Sequence, residues 1–142
     1  MKPFKQTSLL KPLERAKQLA LEHKISDAAL LFSIPGYHTS SNKALVCSED
    51  TTITGDLLLS TRNGPLSKEQ IAMLFCFGDL TIDGELLIDD YEYWPLLFVQ
   101  GNLTCTNILK GGMPLIVLGN IKTTYLIGEY NDGPMRVGGK LE

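Results

Sequence analysis

A pattern of apolar stretch, glycine, polar residue and Leu or Ile returns along this chain and limits what it can fold into. It reads Thr54-Gly55-Asp56-Leu57, Phe77-Gly78-Asp79-Leu80, Gln100-Gly101-Asn102-Leu103, Leu118-Gly119-Asn120-Ile121 and Gly138-Gly139-Lys140-Leu141. The repeat glycines Gly55, Gly78, Gly101, Gly119 and Gly139 are 23, 23, 18 and 20 residues apart. Such a period marks stacked repeats. A unit this short cannot bury its own apolar face and must lie on its neighbours. The expected fold is mainly β: a single-stranded right-handed parallel β-helix over residues 37–142, preceded by an N-terminal α-helical cap over residues 1–36, in one structural domain.

Aligning the repeats on their glycines predicts the core. Leu57, Leu80, Leu103, Ile121 and Leu141 share one inward place, with Phe77, Val99 and Leu118 on the approach to it. The residue after each glycine is Asp56, Asp79, Asn102, Asn120 or Lys140, where a short polar side chain hydrogen-bonds the local backbone of a tight turn. The expected role is structural; the alternative of a catalytic carboxylate pair lacks an Arg or His companion beside Asp79 and Asp83.

Ahead of the repeats, Leu9, Leu13, Ala16, Ala20 and His23 form one stripe of a helix running from Pro12 to about Lys24. Pro12 suits its first turn. Ser26 caps a second short helix through Phe32, which Pro35-Gly36 ends. A stack of β-coils must cover its apolar end, and this helical segment is the expected cover.

The chain of 142 residues is 44% hydrophobic and 20% charged, enough for a continuous core. No apolar run approaches the roughly 18 residues of a membrane span, and the basic start lacks the apolar stretch of a secretion signal. The expected compartment is the cytoplasm. Cys47, Cys76 and Cys105 are an odd number without close pairs, which argues against a disulfide framework. Cys76 precedes a repeat glycine by two residues and Cys105 follows one by four, so they belong at different corners, buried as small hydrophobes rather than stacked. Residues 1–24 carry a net charge of +4 and the remainder −7. An acidic body repels nucleic acid and attracts basic proteins.

Four loops ending in Pro (Gly64-Pro65, Trp94-Pro95, Met113-Pro114 and Gly133-Pro134) return one coil to the next and should share one edge of the stack. On that edge the sequence places Asp89, Asp90, Tyr91, Glu92, Tyr93 and Trp94, then Glu129, Tyr130 and Asp132 two coils on. Aromatic rings supply buried contact area and carboxylates steer a basic partner into register, so these nine residues form the candidate partner-binding strip. The competing expectation is that the tyrosines only pack the loops onto the coils.

From Gly78 to Leu141 the repeated Gly-Asp/Asn-Leu/Ile units, the Asn107-Ile108-Leu109-Lys110-Gly111-Gly112 step and the Tyr130-Asn131-Asp132-Gly133 loop resemble small bacterial β-helix proteins of the bactofilin type. Likeness to bactofilins implies a self-assembling scaffold; likeness to other small β-helix proteins allows an immunity partner of a polymorphic toxin. With only His23 and His38, and no phosphate loop or nucleophile elbow, the sequence offers no catalytic residue, metal site or cofactor. The expectation is therefore a non-enzymatic module that binds a basic protein such as a toxin domain, without nucleic acid or membrane. A scaffold, with a homodimer or filament formed through the terminal coil, is the first alternative. A carbohydrate-active β-helix enzyme is the second.

Overall fold

The computed structural model describes residues 4–25, 43–59, 71–88, 96–111, 114–128 and 135–142. The chain is mainly β; among the described residues there are one short N-terminal helix and three sheets whose strands pair in parallel except for β1. After β1 (Lys5–Ser8) and α1 (Leu10–Glu22) it makes repeated passes. The first gives β2 (Lys43–Cys47), β3 (Thr51–Thr54) and β4 (Leu57–Leu59); the second, β5 (Ile71–Cys76), β6 (Leu80–Asp83) and β7 (Glu85–Ile88). The third gives β8 (Leu96–Val99), β9 (Leu103–Thr104) and β10 (Asn107–Lys110), and the fourth β11 (Leu115–Val117), β12 (Ile121–Lys122) and β13 (Tyr125–Gly128), before β14 (Met135–Val137). Each full pass supplies one strand to each sheet: β1-β2-β5-β8-β11-β14 (sheet A), β3-β6-β9-β12 (sheet B) and β4-β7-β10-β13 (sheet C). This is compatible with a solenoid.

The interior is filled from all three sheets. Leu74, Leu97 and Leu115 come from sheet A, Leu80, Ile82, Leu103 and Ile121 from sheet B, and Leu59, Leu86, Ile88 and Ile108 from sheet C, all essentially buried. Parallel strands in register place like residues on like, so one inward position becomes a continuous apolar row.

A second core lies outside sheet A. Ala44, Met73, Phe75, Leu96, Phe98 and Ile116 point away from the interior and pack with Leu9, Leu13, Ala16 and Ala20 of the helical segment. With both faces buried, the sheet A strands read as unbroken apolar runs, whereas β6 alternates buried and exposed. The guanidinium of Arg15 sits 4.1 Å over the Phe77 ring, whose plane stacks on Phe75. The expected end cap is therefore corrected: α1 lies along an outer sheet face spanning several passes, because four apolar strands offer it more surface than one end of the stack. His23 leaves the buried stripe and is exposed. Among the described residues, cover at the first pass comes from β1, antiparallel to β2, and from Phe4, 5% exposed, which joins the inner core. The second helix expected after Ser26 lies outside the described residues.

The glycine repeat is the corner between sheets A and B, and its physical basis is close approach. A Cβ on Gly101 would meet Asp79 and come within 2.8 Å of the Gly78 carbonyl; one on Gly119 would lie 2.5 Å from the Gly101 carbonyl. Contrary to expectation, the polar residue bonds not its own turn but the next pass. Asp50, Asp79, Asn102 and Asn120 each accept through Oδ1 from the backbone N–H of Asp79, Asn102, Asn120 and Lys140 in turn, at 2.7, 2.7, 2.8 and 2.7 Å.

This ladder corrects the alignment of the first pass. Its corner is Glu49-Asp50, and Gly55-Asp56 belongs to the corner between sheets B and C, where Gly55 has φ +83 and Asp56 accepts from Glu85 N–H at 2.8 Å. Leu57 therefore pairs with Leu86, while Leu80, Leu103, Ile121 and Leu141 share one place as expected. Val99 is in register with Cys76 and faces the interior, whereas Phe77 and Leu118 belong to the outer core.

Candidate functional site

The strip residues Asp89, Asp90, Tyr91, Glu92, Tyr93, Trp94, Glu129, Tyr130 and Asp132 lie outside the described residues. The strands that precede them are described. Ile88 and Gly128, which immediately precede Asp89 and Glu129 in sequence, are both in register with Lys110. The connections from sheet C to sheet A span residues 60–70, 89–95, 111–114 and 129–134, so they differ in length while the three-sheet part of each pass stays nearly constant. Variable length on a regular scaffold is where binding segments are accommodated.

Lys110 stands at this boundary. Only 6% exposed, it occupies an inward position of β10 and donates from Nζ to the Gly111 carbonyl at 3.1 Å. Burial penalises the charged ammonium and lowers its pKa to about 8.

The outer faces of the other two sheets differ in kind. Sheet B presents Thr52, Thr81, Thr104 and Lys122 in one register row, with Asp83 beside it. Sheet C presents Leu58, Leu87, Leu109 and Ile127, also in one register row, next to Glu85, Asn107 and Tyr125. Leu58, Leu87 and Leu109 are half-buried, while Ile127 is 55% and Tyr125 64% exposed. Asn107 Nδ2 donates to Glu85 Oε1 at 3.1 Å, tying two passes together beside the apolar row. Sequence alignment on the wrong glycine hid this row, yet the clue was present: β4, β7, β10 and β13 carry apolar residues at outward as well as inward positions.

A cavity of about 400 Å³ opens at the first pass, lined by Lys5 of β1 and by Cys47, Glu49, Asp50 and Thr51. Cys47 and Cys76, expected to stay apart from other thiols, are in fact direct register partners in β2 and β5. The 29-residue step between them is the length of the first pass; the next pass is shorter, so Cys105 falls at another corner, as expected. Among the described residues no group of three or more His, Cys, Asp or Glu is placed to hold a metal ion, and no helix is long and apolar enough to cross a membrane.

Comparison with protein-family models, curated proteins and solved structures returns no match.

Proposed function

We propose that this chain is a non-enzymatic protein-binding module, wound as a right-handed parallel β-helix, that recognises a basic protein. The handedness rests on the right-handed preference of connections between parallel strands of one sheet. One observation carries the binding reading: the row Leu58, Leu87, Leu109 and Ile127 on the outside of sheet C, which no described part of the chain covers. A continuous apolar row on an outer face is a mark of an interaction surface. Its strands run into the segments that hold Asp89, Asp90, Glu92, Glu129 and Asp132, and Glu85 lies on the face itself. Apolar contact then supplies affinity, and the carboxylates select a positively charged partner and speed its approach. Neutralisation of a basic toxin domain is the most specific form of this reading.

A self-assembling scaffold competes with it. In sheet A, β1 already occupies the edge of β2 that an end-to-end contact at the first pass would use.

The test is capture of basic proteins encoded beside this chain's gene. Wild type is compared with Asp89→Lys/Asp90→Lys/Glu92→Lys and with Leu87→Lys/Leu109→Lys. Retention of one basic protein by wild type, reversed by salt and lost in both variants, is the expected result. Equal retention by all three forms, or retention of this chain alone, overturns the proposal.

A further inference from the structure

The inner core holds one feature that the binding reading does not use. Cys47 and Cys76 are register partners on adjacent parallel strands, and both face the interior. In-register Cα atoms of neighbouring strands are about 4.8 Å apart, inside the roughly 4.4–6.8 Å range a disulfide spans. Two buried residues of like size stacked in this way are ordinary packing. The cavity changes that, because Cys47 lines it while Cys76 lies behind, wholly buried.

We infer that Cys47 and Cys76 form a peroxide-reactive dithiol, in which Cys47 meets hydrogen peroxide in the first-pass cavity and Cys76 resolves it to an intramolecular disulfide. Several observations assign the two roles. Cys47 is 3% exposed and lines the cavity, where a small oxidant reaches it. The neighbouring Cys76 thiol favours the charged form of Cys47 and, against the opposing effect of burial and with a smaller contribution from nearby Thr51, lowers its pKa to about 7. Cys76 is shifted upward, first by the same contact with Cys47 and then by burial, so it is the partner that keeps its proton. The carbonyls of Gly78 and Asp79, each 3.8 Å from Sγ, and that of Glu49 at 4.0 Å are alternative acceptors for its single thiol proton. Cys105 has neither partner nor cavity in common with the pair, and burial raises its pKa.

The chemistry closes without a further reactant. The Cys47 thiolate attacks one peroxide oxygen, the O–O bond breaks, and the departing hydroxide takes up a proton as water. Cys47 is left as a sulfenic acid. The Cys76 sulfur attacks the sulfenic sulfur, its proton goes to the leaving hydroxyl, and a second water departs as the S–S bond forms. Two thiols lose two electrons and one peroxide gains them. The product ties the first two passes together covalently.

The experiment treats the full chain with one equivalent of hydrogen peroxide at pH 7, then denatures, alkylates and maps it by mass spectrometry. A linked Cys47–Cys76 peptide forms, while Cys105 is recovered alkylated and reacts at least about tenfold more slowly. The rate rises between pH 6 and pH 8 and then levels as the Cys47 thiolate becomes fully populated. Cys76→Ala, which loses the contact that favours the Cys47 thiolate, oxidises more slowly and halts at a Cys47 sulfenic acid that dimedone traps, and Cys105→Ala leaves the linkage unchanged. Because the wild-type map already decides the matter, misfolding of a variant does not shield the proposal. Oxidation of Cys105 at the rate of Cys47, linkage through Cys105, or no oxidation before denaturation overturns it.

Discussion

The outer faces of sheets A and C are built from similar apolar residues and meet opposite fates. Sheet A turns Met73, Phe75, Phe98 and Ile116 outward, and α1 covers them; sheet C turns Leu58, Leu87, Leu109 and Ile127 outward, and no described element does. Sheet B, with its outward threonines, is what a solvated face of this stack looks like. An apolar outer row in a parallel stack therefore predicts a cover. In sheet A the chain provides its own, and in sheet C the proposed cover is another protein.

The comparison is broken most forcefully at Phe75. Its ring is wholly buried between α1 and the sheet, beside Phe77 and Phe98. Phe75→Ala removes apolar area and leaves a cavity, for an expected loss of about 3–5 kcal/mol in a urea titration. That is a large part of the stability of an ordinary domain. Leu109→Ala on the outside of sheet C is expected to cost less than about 1.5 kcal/mol, since water already reaches its side chain. Equal losses at the two positions would mean that sheet C is covered in the isolated protein.

A second prediction tests the boundary where sheet C passes into sheet A. Lys110 has a pKa of about 8 when folded against 10.5 when exposed, because burial opposes its charge. Between these values the unfolded chain binds more protons than the folded one, so stability rises with pH across that window. Above 10.5 both states are neutral and the penalty is gone; as pH falls through about 8 the penalty is fully felt. Urea midpoints from pH 7 to 10.5 should climb by on the order of 1–2 kcal/mol of stability, and Lys110→Met should flatten that climb. A wild-type profile indistinguishable from that of Lys110→Met removes the buried-charge account of this edge.

A smaller effect is expected at the ladder that holds all the passes together. Asn102 accepts from Asn120 N–H at 2.8 Å and its own N–H is held by Asp79. Asn102→Ala removes the first bond only, at an exposed corner where water replaces the acceptor, and should cost about 0.5–1.5 kcal/mol. Gly101→Ala should cost more, since its Cβ has no space against Gly78 and Asp79. The reverse order would show that hydrogen bonding rather than close approach dictates the repeat.

These contrasts explain what was legible in the sequence. The glycine-polar corner leaves a signature because stacking admits few residues there, and four of the five copies in the sequence lie at that corner. The fifth, Gly55-Asp56, uses the same two residue types at a different corner, and composition alone does not distinguish them. An amphipathic helix reveals that it covers something but not what, which is how α1 came to be expected at the end of the stack. The unbroken runs Met73–Phe77, Leu96–Val99 and Leu115–Leu118 carried the missing information, since both faces of such strands must be buried. The pairing of Cys47 with Cys76 depended on the true length of the first pass, which the misplaced glycine concealed. The acidic-aromatic strip is an expectation of the sequence alone, and its residues fall outside those described.

The finest test separates a solvated apolar row from one kept for a partner. Leu87→Lys/Leu109→Lys places two ammonium groups on the outer face of sheet C, where long side chains extend into water and Glu85 lies near. The isolated protein should change stability by no more than about 1 kcal/mol, because neither side chain belongs to either core. Binding of an apolar dye should fall, and association with a basic partner should weaken through both lost contact area and added repulsion. The same substitutions at Phe75 and Phe98 would unfold the chain. If the sheet C variant also unfolds, the two faces are alike and the row belongs to the protein's own core; if it folds and still binds its partner at unchanged affinity, the interface lies elsewhere on the stack.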